Sequence, residues 1–227
     1  MSDKIRVAVL YGGRSAEHEV SIESAKNVYK SLDRSKYDVA LIGIDKQGVW
    51  HPLPEKYLLE SSITKKQIAM DTQKATGQAI VSAPLEVLQT VDVVFPVLHG
   101  SYGEDGLMQG FLEIADVPYV GSGVLGSAVG MDKDVTKRLL RDAGLPIADF
   151  MVLHKGEEVD AALVEKRLGL PLFVKPANLG SSVGITKVKE KKDLEQATAA
   201  AFRYDTKIIL EEYIPGREIE CSLLGNE

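Results

Sequence analysis

Two aliphatic runs separated by a helical pattern constrain the fold of this chain more than any other feature. Residues 5–11 (IRVAVLY) are apolar and rich in β-formers, and they end at Gly12 and Gly13. A continuous apolar run of this length is typical of a buried parallel strand. Apolar residues at helical spacing follow over residues 21–32, and residues 37–45 (YDVALIGID) form a second strand pattern. This β-α-β order predicts the beginning of an open α/β sheet.

The same alternation continues toward residue 121. Residues 91–98 (VDVVFPVL) resume the sheet, and residues 107–115 form a helical pattern. Ahead of them, a polar stretch at residues 65–78 indicates a surface insertion, which we expect to be partly mobile. A glycine-rich stretch, residues 119–126, then joins two domains. We therefore predict an N-terminal domain over residues 1–121 with a Rossmann-like open parallel sheet.

The second region is predicted to form a central α+β domain over residues 122–214. Its helical patterns lie at residues 134–143, 157–168 and 191–202, and its strand patterns at residues 150–153, 172–175, 185–188 and 207–212. Pro215 and Gly216 make a turn into a further strand pattern at residues 217–224, which looks like the first strand of a new sheet. Because a compact domain rarely ends there, we expect residues 215–227 to begin a third, truncated domain.

Charge and cysteine content narrow the classes of function. The net charge is −6 and the basic residues are not clustered, so we expect no nucleic-acid partner, although a few placed lysines suffice for a nucleotide. Cys221 is the single cysteine and no histidine lies near it in sequence, so we interpret it as a small core residue in a reducing cytoplasm. The sequence has no signal-peptide pattern and no apolar run of about 20 residues, so we expect no membrane partner.

Residues 12–21 (GGRSAEHEVS) follow the first strand pattern and precede the first helix. Glycines permit a sharp turn there, and the free N–H groups of a helix start favour an anion. The dinucleotide fingerprint G-x-G-x-x-G is absent. One interpretation is a glycine turn with capping polar groups. The other is a ligand site, because Glu17, His18 and Glu19 lie at the carboxyl end of a strand, where open α/β sheets bind ligands.

Residues 99–106 (HGSYGEDG) follow the strand pattern at residues 91–98 in the same way. Because the carboxyl ends of parallel strands meet at one edge of a sheet, the two loops can face one crevice. His99 is either a loop histidine with local hydrogen bonds or a ligand-binding group, and the sequence leaves both interpretations open.

Two further motifs suit a nucleotide. Lys175 ends a strand pattern and precedes a glycine–serine loop, residues 180–184 (GSSVG), whose N–H groups and hydroxyls can cradle phosphates. The loop is not a Walker motif, because the lysine precedes the glycines. In residues 210–218 (LEEYIPGRE), the backbone of residues 212–214 can read a base edge and Glu218 can accept from ribose hydroxyls. The alternative is an acidic, solvated strand edge.

These motifs, in this order and together with MDK at residues 131–133, resemble the D-alanine–D-alanine ligases of the ATP-grasp family. The resemblance covers essentially the whole chain and includes VKPANLGSSVG at residues 174–184 and LEEYIPGREIE at residues 210–220. It implies a pre-ATP-grasp domain followed by the α+β first half of an ATP-grasp fold. It also implies ligation of two D-alanine molecules with ATP, through an acyl phosphate, for peptidoglycan synthesis. The alternatives are a D-alanyl-D-lactate or D-alanyl-D-serine ligase, or a non-catalytic nucleotide-binding fragment.

The resemblance assigns roles to individual positions. Glu17 would bind the amino group of the first D-alanine, and Ser181 would link to Glu17 and support catalysis. The contacts of the first D-alanine would be Glu17, Val20, Ser21 and His99. The contacts of the ATP phosphates would be Lys133, Lys175 and Ser182. The contacts of adenosine would be Glu211, Glu212, Tyr213, Ile214 and Glu218.

The resemblance further implies a divalent cation, Mg²⁺ or Mn²⁺, and a homodimer formed through the N-terminal domain. In the family, a C-terminal domain supplies the metal ligands and a lid loop, and we expect neither within these 227 residues. No residue of this chain is therefore assigned to the metal. The residues that select the second substrate are expected in the same C-terminal part.

Overall fold

The computed structural model describes residues 4–59, 86–223 and 225. The polar stretch at residues 65–78, predicted as a surface insertion, lies outside the described residues. The chain divides into two compact units. Unit 1 comprises Met1–Thr136 and Asn178–Ser181, and unit 2 comprises Lys137–Ala177 and Ser182–Glu227.

Unit 1 is built on a four-stranded sheet. Its strands are β1 (Ile5–Gly12), β2 (Tyr37–Ile44), β3 (Trp50–Pro52) and β4 (Val93–Leu98), in the order β3-β2-β1-β4. The central β1 pairs in parallel with β2 and β4, whereas β3 pairs antiparallel with β2. Alternate residues of β1 face two hydrophobic clusters, one containing Ala8 and Leu10 and the other Val7, Val9 and Tyr11. Burial on both faces explains the unbroken apolar run and confirms the predicted open parallel sheet.

Besides residues 86–88, which are helical at the edge of a described range, four helices of the described residues lie wholly within unit 1. They are α1 (His18–Ser31), α2 (Glu55–Leu59), α3 (Leu107–Ile114) and α4 (Val124–Met131). α1 begins at His18 rather than at the predicted start, Ser21. Its buried face contains His18 and Ser21 as well as Ala25 and Tyr29. Because two of these residues are polar, apolar periodicity alone places the start of the helix too late.

Unit 2 is built on an antiparallel sheet. Helix α5 (Lys133–Asp142) has its last six residues in this unit and is followed by β5 (Phe150–His154), α6 (Ala161–Leu168), β6 (Leu172–Pro176), β7 (Thr186–Val188), α7 (Leu194–Ala201) and β8 (Lys207–Glu212). The strand order is β5-β8-β6-β7, and all of its described pairs are antiparallel. Residues of α6 and α7 share one core with Leu172, Val174, Ile208 and Leu210. This α+β arrangement confirms the predicted fold class. Across both units, no described helix is long and apolar enough to cross a membrane.

Two predictions for the C-terminal end are wrong. The strand predicted at residues 217–224 does not form over the described residues 217–223, which have no regular secondary structure and are exposed. No strand of the described residues pairs with them, and a β-strand forms only where backbone N–H and C=O groups bond to a neighbouring strand. Cys221 lies in this segment and is exposed rather than in a core.

Candidate functional site

The two predicted motifs of unit 1 leave its sheet at neighbouring positions. Gly12, the last residue of β1, pairs with Ile44 at the end of β2 and with Leu98 at the end of β4. The motifs at residues 12–21 and 99–106 therefore begin at the same carboxyl edge, as the sequence predicts. Open α/β sheets bind their ligands outside this edge.

Gly12 and His18 shape the first turn. Gly12 has φ +91°, and a Cβ atom there would lie 2.2 Å from the carbonyl oxygen of Ile44, so only glycine fits. The buried His18 ring places Nδ1 2.8 Å from the carbonyl oxygen of Gly13. This hydrogen bond lies within the turn, so both residues serve the local structure.

Ser21 ties α1 to two strands. Its fully buried Oγ accepts a hydrogen bond from the Gly12 N–H at 2.8 Å and donates one to the carbonyl oxygen of Val97. These bonds use the hydroxyl within the fold, so the substrate contact predicted for Ser21 would have to be indirect. The neighbouring Val20 is exposed and remains accessible for the contact predicted there.

His99 is held against α1 at the start of the second motif. Its Nε2 atom lies 2.9 Å from Ser24 Oγ. Glu104 of the same motif accepts a hydrogen bond from the Gly100 N–H at 2.7 Å. The loop is thus ordered by its own carboxylate and by α1. Ser24 was missed by the sequence analysis, and only its spacing of three residues from Ser21 on one helix could have indicated it.

Glu17 is the point where three motifs meet in unit 1. Ser181 donates a hydrogen bond from Oγ to Glu17 Oε1, although 164 positions separate the two residues. Glu17 Oε2 lies against the backbone of Gly100 and Gly180, where added Cβ atoms would stand 2.4 Å and 3.4 Å away. The structure therefore brings Glu17 and Ser181 together, while their roles toward a substrate stay predictions.

Lys133, at the start of α5, binds the residue that directly precedes the glycine–serine loop. Its Nζ donates to the carbonyl oxygen of Leu179. A crevice of about 500 Å³ in unit 1 is lined by Gly103, Glu104, Ser122, Lys133, Leu179 and Gly180, among others. A cavity of this size, bordered by mixed polar groups, can hold a small molecule.

Two consecutive serines of this loop adopt an unfavourable backbone conformation. Ser181 has φ +48° and Ser182 has φ +61°, both in the left-handed region. Non-glycine residues in this region cost of order 1 kcal/mol each and are concentrated at ligand-binding loops. Ser182 is exposed. The geometry is therefore consistent with a loop shaped for a ligand.

In unit 2, Lys175 contacts the carboxylate of Glu211, which also binds Lys137. Lys137 Nζ lies 2.6 Å from Glu211 Oε1, and Lys175 Nζ contacts Glu211 Oε2. The exposed fraction of the side chain is 13% for Lys137, 12% for Glu211 and 20% for Lys175. Burial alone would raise the pKa of Glu211, but the hydrogen bonds and charges of the two lysines outweigh it and hold the pKa below its ordinary value.

Lys187 is a third lysine near Lys175, and Lys137, Lys175 and Lys187 together form a cationic face of unit 2. Lys187 Nζ lies 3.6 Å from the centroid of the Tyr213 ring, and the Nζ atoms of Lys175 and Lys187 each lie 5.6 Å from the centroid of the Phe173 ring. The Phe173 and Tyr213 rings pack with centroids 6.1 Å apart. Neither Lys137 nor Lys187 was singled out from the sequence. For Lys187, strand alternation relative to the core residue Val188 was the available signal.

The residues predicted to hold adenosine divide into two groups. Glu211 and Glu212 lie within β8, and Glu212 is committed to the sheet, because its N–H donates to Asp149 O at 3.0 Å and its Oε1 accepts from the Asp149 N–H at 2.7 Å. Tyr213, Ile214 and Glu218 follow the strand and are exposed. This second group is the more exposed of the two, whereas Glu211 and Glu212 are partly buried.

The order of a largely parallel sheet and then an antiparallel sheet agrees with the predicted pre-ATP-grasp domain and first half of an ATP-grasp fold, which places the chain in the ATP-grasp class. Family models describe the same two parts of the chain. The model for the D-ala D-ala ligase N-terminus matches residues 6–122, and the model for the C-terminus of that ligase matches residues 139–227. The chain belongs to the D-alanine–D-alanine ligase family.

Individual relatives agree with the family models. D-alanine–D-alanine ligase A of Chromobacterium violaceum is 49% identical over 235 residues, which cover 99% of this chain and 64% of that protein. The solved D-alanine-D-alanine ligase from Coxiella burnetii is 36% identical with a TM-score of 0.80, covering 94% of this chain and 65% of that one. VanG D-Ala:D-Ser ligase from Enterococcus faecalis is 38% identical with a TM-score of 0.74, and the match covers 94% of this chain and 64% of the VanG chain. The chain thus spans slightly less than two thirds of the length of these relatives.

Proposed function

We propose that the complete protein uses ATP to join two D-alanine molecules into D-alanyl-D-alanine for peptidoglycan synthesis. The hydrogen bond from Ser181 to Glu17 carries this proposal. It brings the loop expected to bind phosphates against the carboxylate expected to bind an amino group. A site that transfers a phosphoryl group to an amino acid needs these two elements side by side, because such catalysis depends mainly on positioning.

The substrate half of the proposed site lies in unit 1. Glu17 would bind the ammonium group of the first D-alanine through a charge-assisted hydrogen bond, with Ser181 orienting its carboxylate. His99, held by Ser24, would contact the substrate near its carboxylate. Val20 would pack beside the substrate. Ser21 would act through its buried tie to β1 and β4, rather than by direct contact.

The nucleotide half uses the loop serine and the lysines. Lys133, Lys175 and Ser182 would bind the ATP phosphates, where ammonium groups neutralise the dense negative charge. The cationic face around Lys175 supports this assignment. Adenosine would contact Glu211, Glu212, Tyr213, Ile214 and Glu218. Because Glu212 is bound to Asp149, the exposed residues that follow β8 are the ones best placed to meet the base.

The chemistry requires activation of a carboxylate, because an unmodified carboxylate is a poor acyl donor. Transfer of the γ-phosphoryl group to the carboxylate of the first D-alanine forms an acyl phosphate. The amine of the second D-alanine then attacks the carbonyl carbon and expels phosphate, which yields dipeptide, ADP and phosphate. Water must be excluded while the acyl phosphate exists, so a closing lid is expected in the complete protein.

Mg²⁺ or Mn²⁺ would neutralise charge on the transferred phosphoryl group. Among the described residues, no group of three or more His, Cys, Asp or Glu side chains is arranged to hold a metal ion. The family resemblance assigns the metal ligands to the C-terminal part of these ligases. We therefore propose no metal ligand from the described residues.

We further propose a functional division at the predicted boundaries. Residues 1–121 would form the substrate domain, residues 122–214 the central ATP-grasp subdomain, and residues 215–227 the start of the C-terminal subdomain. The complete protein would act in the cytoplasm as a homodimer formed through the N-terminal domain. The protein would bind the small molecule D-alanine and would bind neither a membrane nor a nucleic acid. The net charge of −6 supports the exclusion of nucleic acid.

A second candidate function is ligation of D-alanine to D-serine. It is favoured by the structural similarity to VanG D-Ala:D-Ser ligase at 38% identity. Ligation to D-lactate and a non-catalytic nucleotide-binding role remain the alternatives from sequence. All four possibilities share a nucleotide site and differ in the second substrate or in turnover.

The test is a product assay with the complete protein, ATP and Mg²⁺. D-alanine is supplied alone, with D-serine or with D-lactate, and ADP release is followed while mass spectrometry identifies the product. D-alanyl-D-alanine as the main product supports the proposal, and a dominant mixed product supports the corresponding alternative. ATP binding without any dipeptide or depsipeptide would contradict a ligase function.

A further inference from the structure

Glu211 is shared by two lysines of unit 2, and one of them, Lys137, has no role in the function proposed above. Lys137 binds one carboxylate oxygen of Glu211 and Lys175 binds the other. We propose that Lys137 is a positioning residue that holds the Glu211 carboxylate, so that the Lys175 ammonium can leave it for an incoming nucleotide phosphate. This inference rests on the nucleotide binding proposed for unit 2.

Lys137 is anchored from three sides. Its Nζ lies 2.6 Å from Glu211 Oε1, donates to the carbonyl oxygen of Ala148 at 3.0 Å, and stands 5.3 Å from the centroid of the Phe150 ring. A largely buried ammonium with a carboxylate, a carbonyl and an aromatic face around it has few alternative positions. Lys137 is therefore suited to hold Glu211 rather than to follow a mobile ligand.

Lys175 occupies a different environment on the same face of the sheet. It lies on β6, which pairs with β8, and its direct partner there is Ile209, two residues before Glu211. Its side chain is the most exposed of the three, and its Nζ lies beside the Phe173 ring as well as the Glu211 carboxylate. Lys175 can therefore reach an incoming anion with a smaller movement than Lys137 would need.

The balance of charge explains why a second lysine is needed. Lys137, Glu211 and Lys175 carry two positive charges and one negative charge. Without Lys137, a move of Lys175 to a phosphate would leave the largely buried Glu211 carboxylate without either of these partners, which is strongly unfavourable. With Lys137 in place, Glu211 keeps a counter-ion, and the surplus positive charge remains available to the nucleotide.

The experiment compares a nucleotide that carries phosphates with one that does not. Calorimetry on the complete protein measures binding of the non-hydrolysable ATP analogue AMP-PNP with Mg²⁺, and binding of adenosine. Lys137→Met removes the ammonium and keeps a long aliphatic side chain, whereas Lys137→Arg keeps the charge. Lys155→Met is the matched control, because Lys155 is an exposed lysine of the same unit.

We expect Lys137→Met to weaken AMP-PNP binding about tenfold or more, because a largely buried charge pair is disrupted, while adenosine affinity changes less than about twofold. Lys137→Arg should recover AMP-PNP binding to within about threefold of wild type, since the charge is restored. Lys155→Met should match wild type. The double variant Lys137→Met/Glu211→Gln should have an affinity for AMP-PNP within about threefold of that of Glu211→Gln alone, because no carboxylate then competes for Lys175.

Several results would overturn the inference. The first is that Lys137→Met weakens the binding of AMP-PNP and adenosine equally, or does not weaken AMP-PNP binding at all. The second is that Lys137→Met/Glu211→Gln binds AMP-PNP much more weakly than Glu211→Gln alone. The third is that Lys137→Met has so low a melting temperature that it binds neither ligand. A wild-type protein that binds AMP-PNP but forms no D-alanyl-D-alanine would instead contradict the proposed function and leave the comparison of variants valid.

Discussion

Replacement of Glu17 by glutamine tests the substrate half of the site with little change in packing. Glu17 Oε1 accepts from Ser181, and Oε2 lies against the backbone of Gly100 and Gly180. Glutamine keeps the side-chain shape and one acceptor oxygen, so the substitution removes mainly the charge. A hydrogen bond between a carboxylate and an ammonium group contributes about 1.5–3 kcal/mol, and about 1.4 kcal/mol corresponds to a factor of ten. We therefore expect the KM for the first D-alanine to rise about 10- to 150-fold.

The assay measures ADP release by the complete protein over a range of D-alanine concentrations, with ATP affinity determined separately. ATP affinity should stay nearly unchanged, because Glu17 is not assigned to the nucleotide. Glu19→Gln is the matched control, since Glu19 lies two residues further along, is exposed and pairs with Lys46. An unchanged KM in Glu17→Gln, or an equal rise in Glu19→Gln, would remove Glu17 from the substrate site.

Three further predictions address the nucleotide site, the fold and turnover. Lys175→Ala should weaken ATP more than adenosine in calorimetry, because it removes a charge that faces phosphate; equal losses would mean that Lys175 is structural. Ser21→Ala should lower the free energy of unfolding in urea by about 2–4 kcal/mol, because two buried backbone groups lose a partner, whereas the exposed Ser35→Ala should change it by less than about 0.5 kcal/mol. A loss below about 1 kcal/mol for Ser21→Ala would show that the hydroxyl does not tie α1 to the sheet. Finally, residues 1–227 alone should form no detectable D-alanyl-D-alanine beside an active complete protein, because phosphoryl transfer needs divalent metal in fixed geometry. Turnover by this chain near the rate of the complete protein would show that its own carboxylates can bind the metal.

Apolar periodicity predicted the regular elements wherever burial is achieved by apolar side chains alone. β1 is the clearest case, because both of its faces are buried from Val7 onward and no charged residue follows the exposed Arg6 in this strand. The prediction failed at residues 217–224, where strand-forming side chains have no paired strand among the described residues. Strand formation depends on a partner that supplies backbone hydrogen bonds, so a local pattern cannot guarantee it.

In the candidate site, the local sequence likewise does not determine which partners the polar side chains bind. The motif alone marked Glu17, His18 and Glu19 as three titratable groups, and only the family resemblance singled out Glu17. The structure separates them, because His18 bonds to the carbonyl oxygen of Gly13, Glu19 pairs with Lys46, and Glu17 meets Ser181. Lys137 and Lys187 received no role from sequence, since neither belongs to a glycine-rich or acidic motif.

The sequence by itself determined the order of elements, the α/β class, the four motifs and the resemblance to a ligase family. These properties depend on local side-chain chemistry and on spacing along the chain, which the sequence states directly. Only the tertiary structure decided that Ser21 is a buried tie from α1 to β4 and that Glu211 is shared by Lys137 and Lys175, and it shows the contact between Ser181 and Glu17 that the family resemblance implied. Each of these contacts joins residues far apart in the chain, and its geometry depends on how strands and helices pack, which no local pattern encodes.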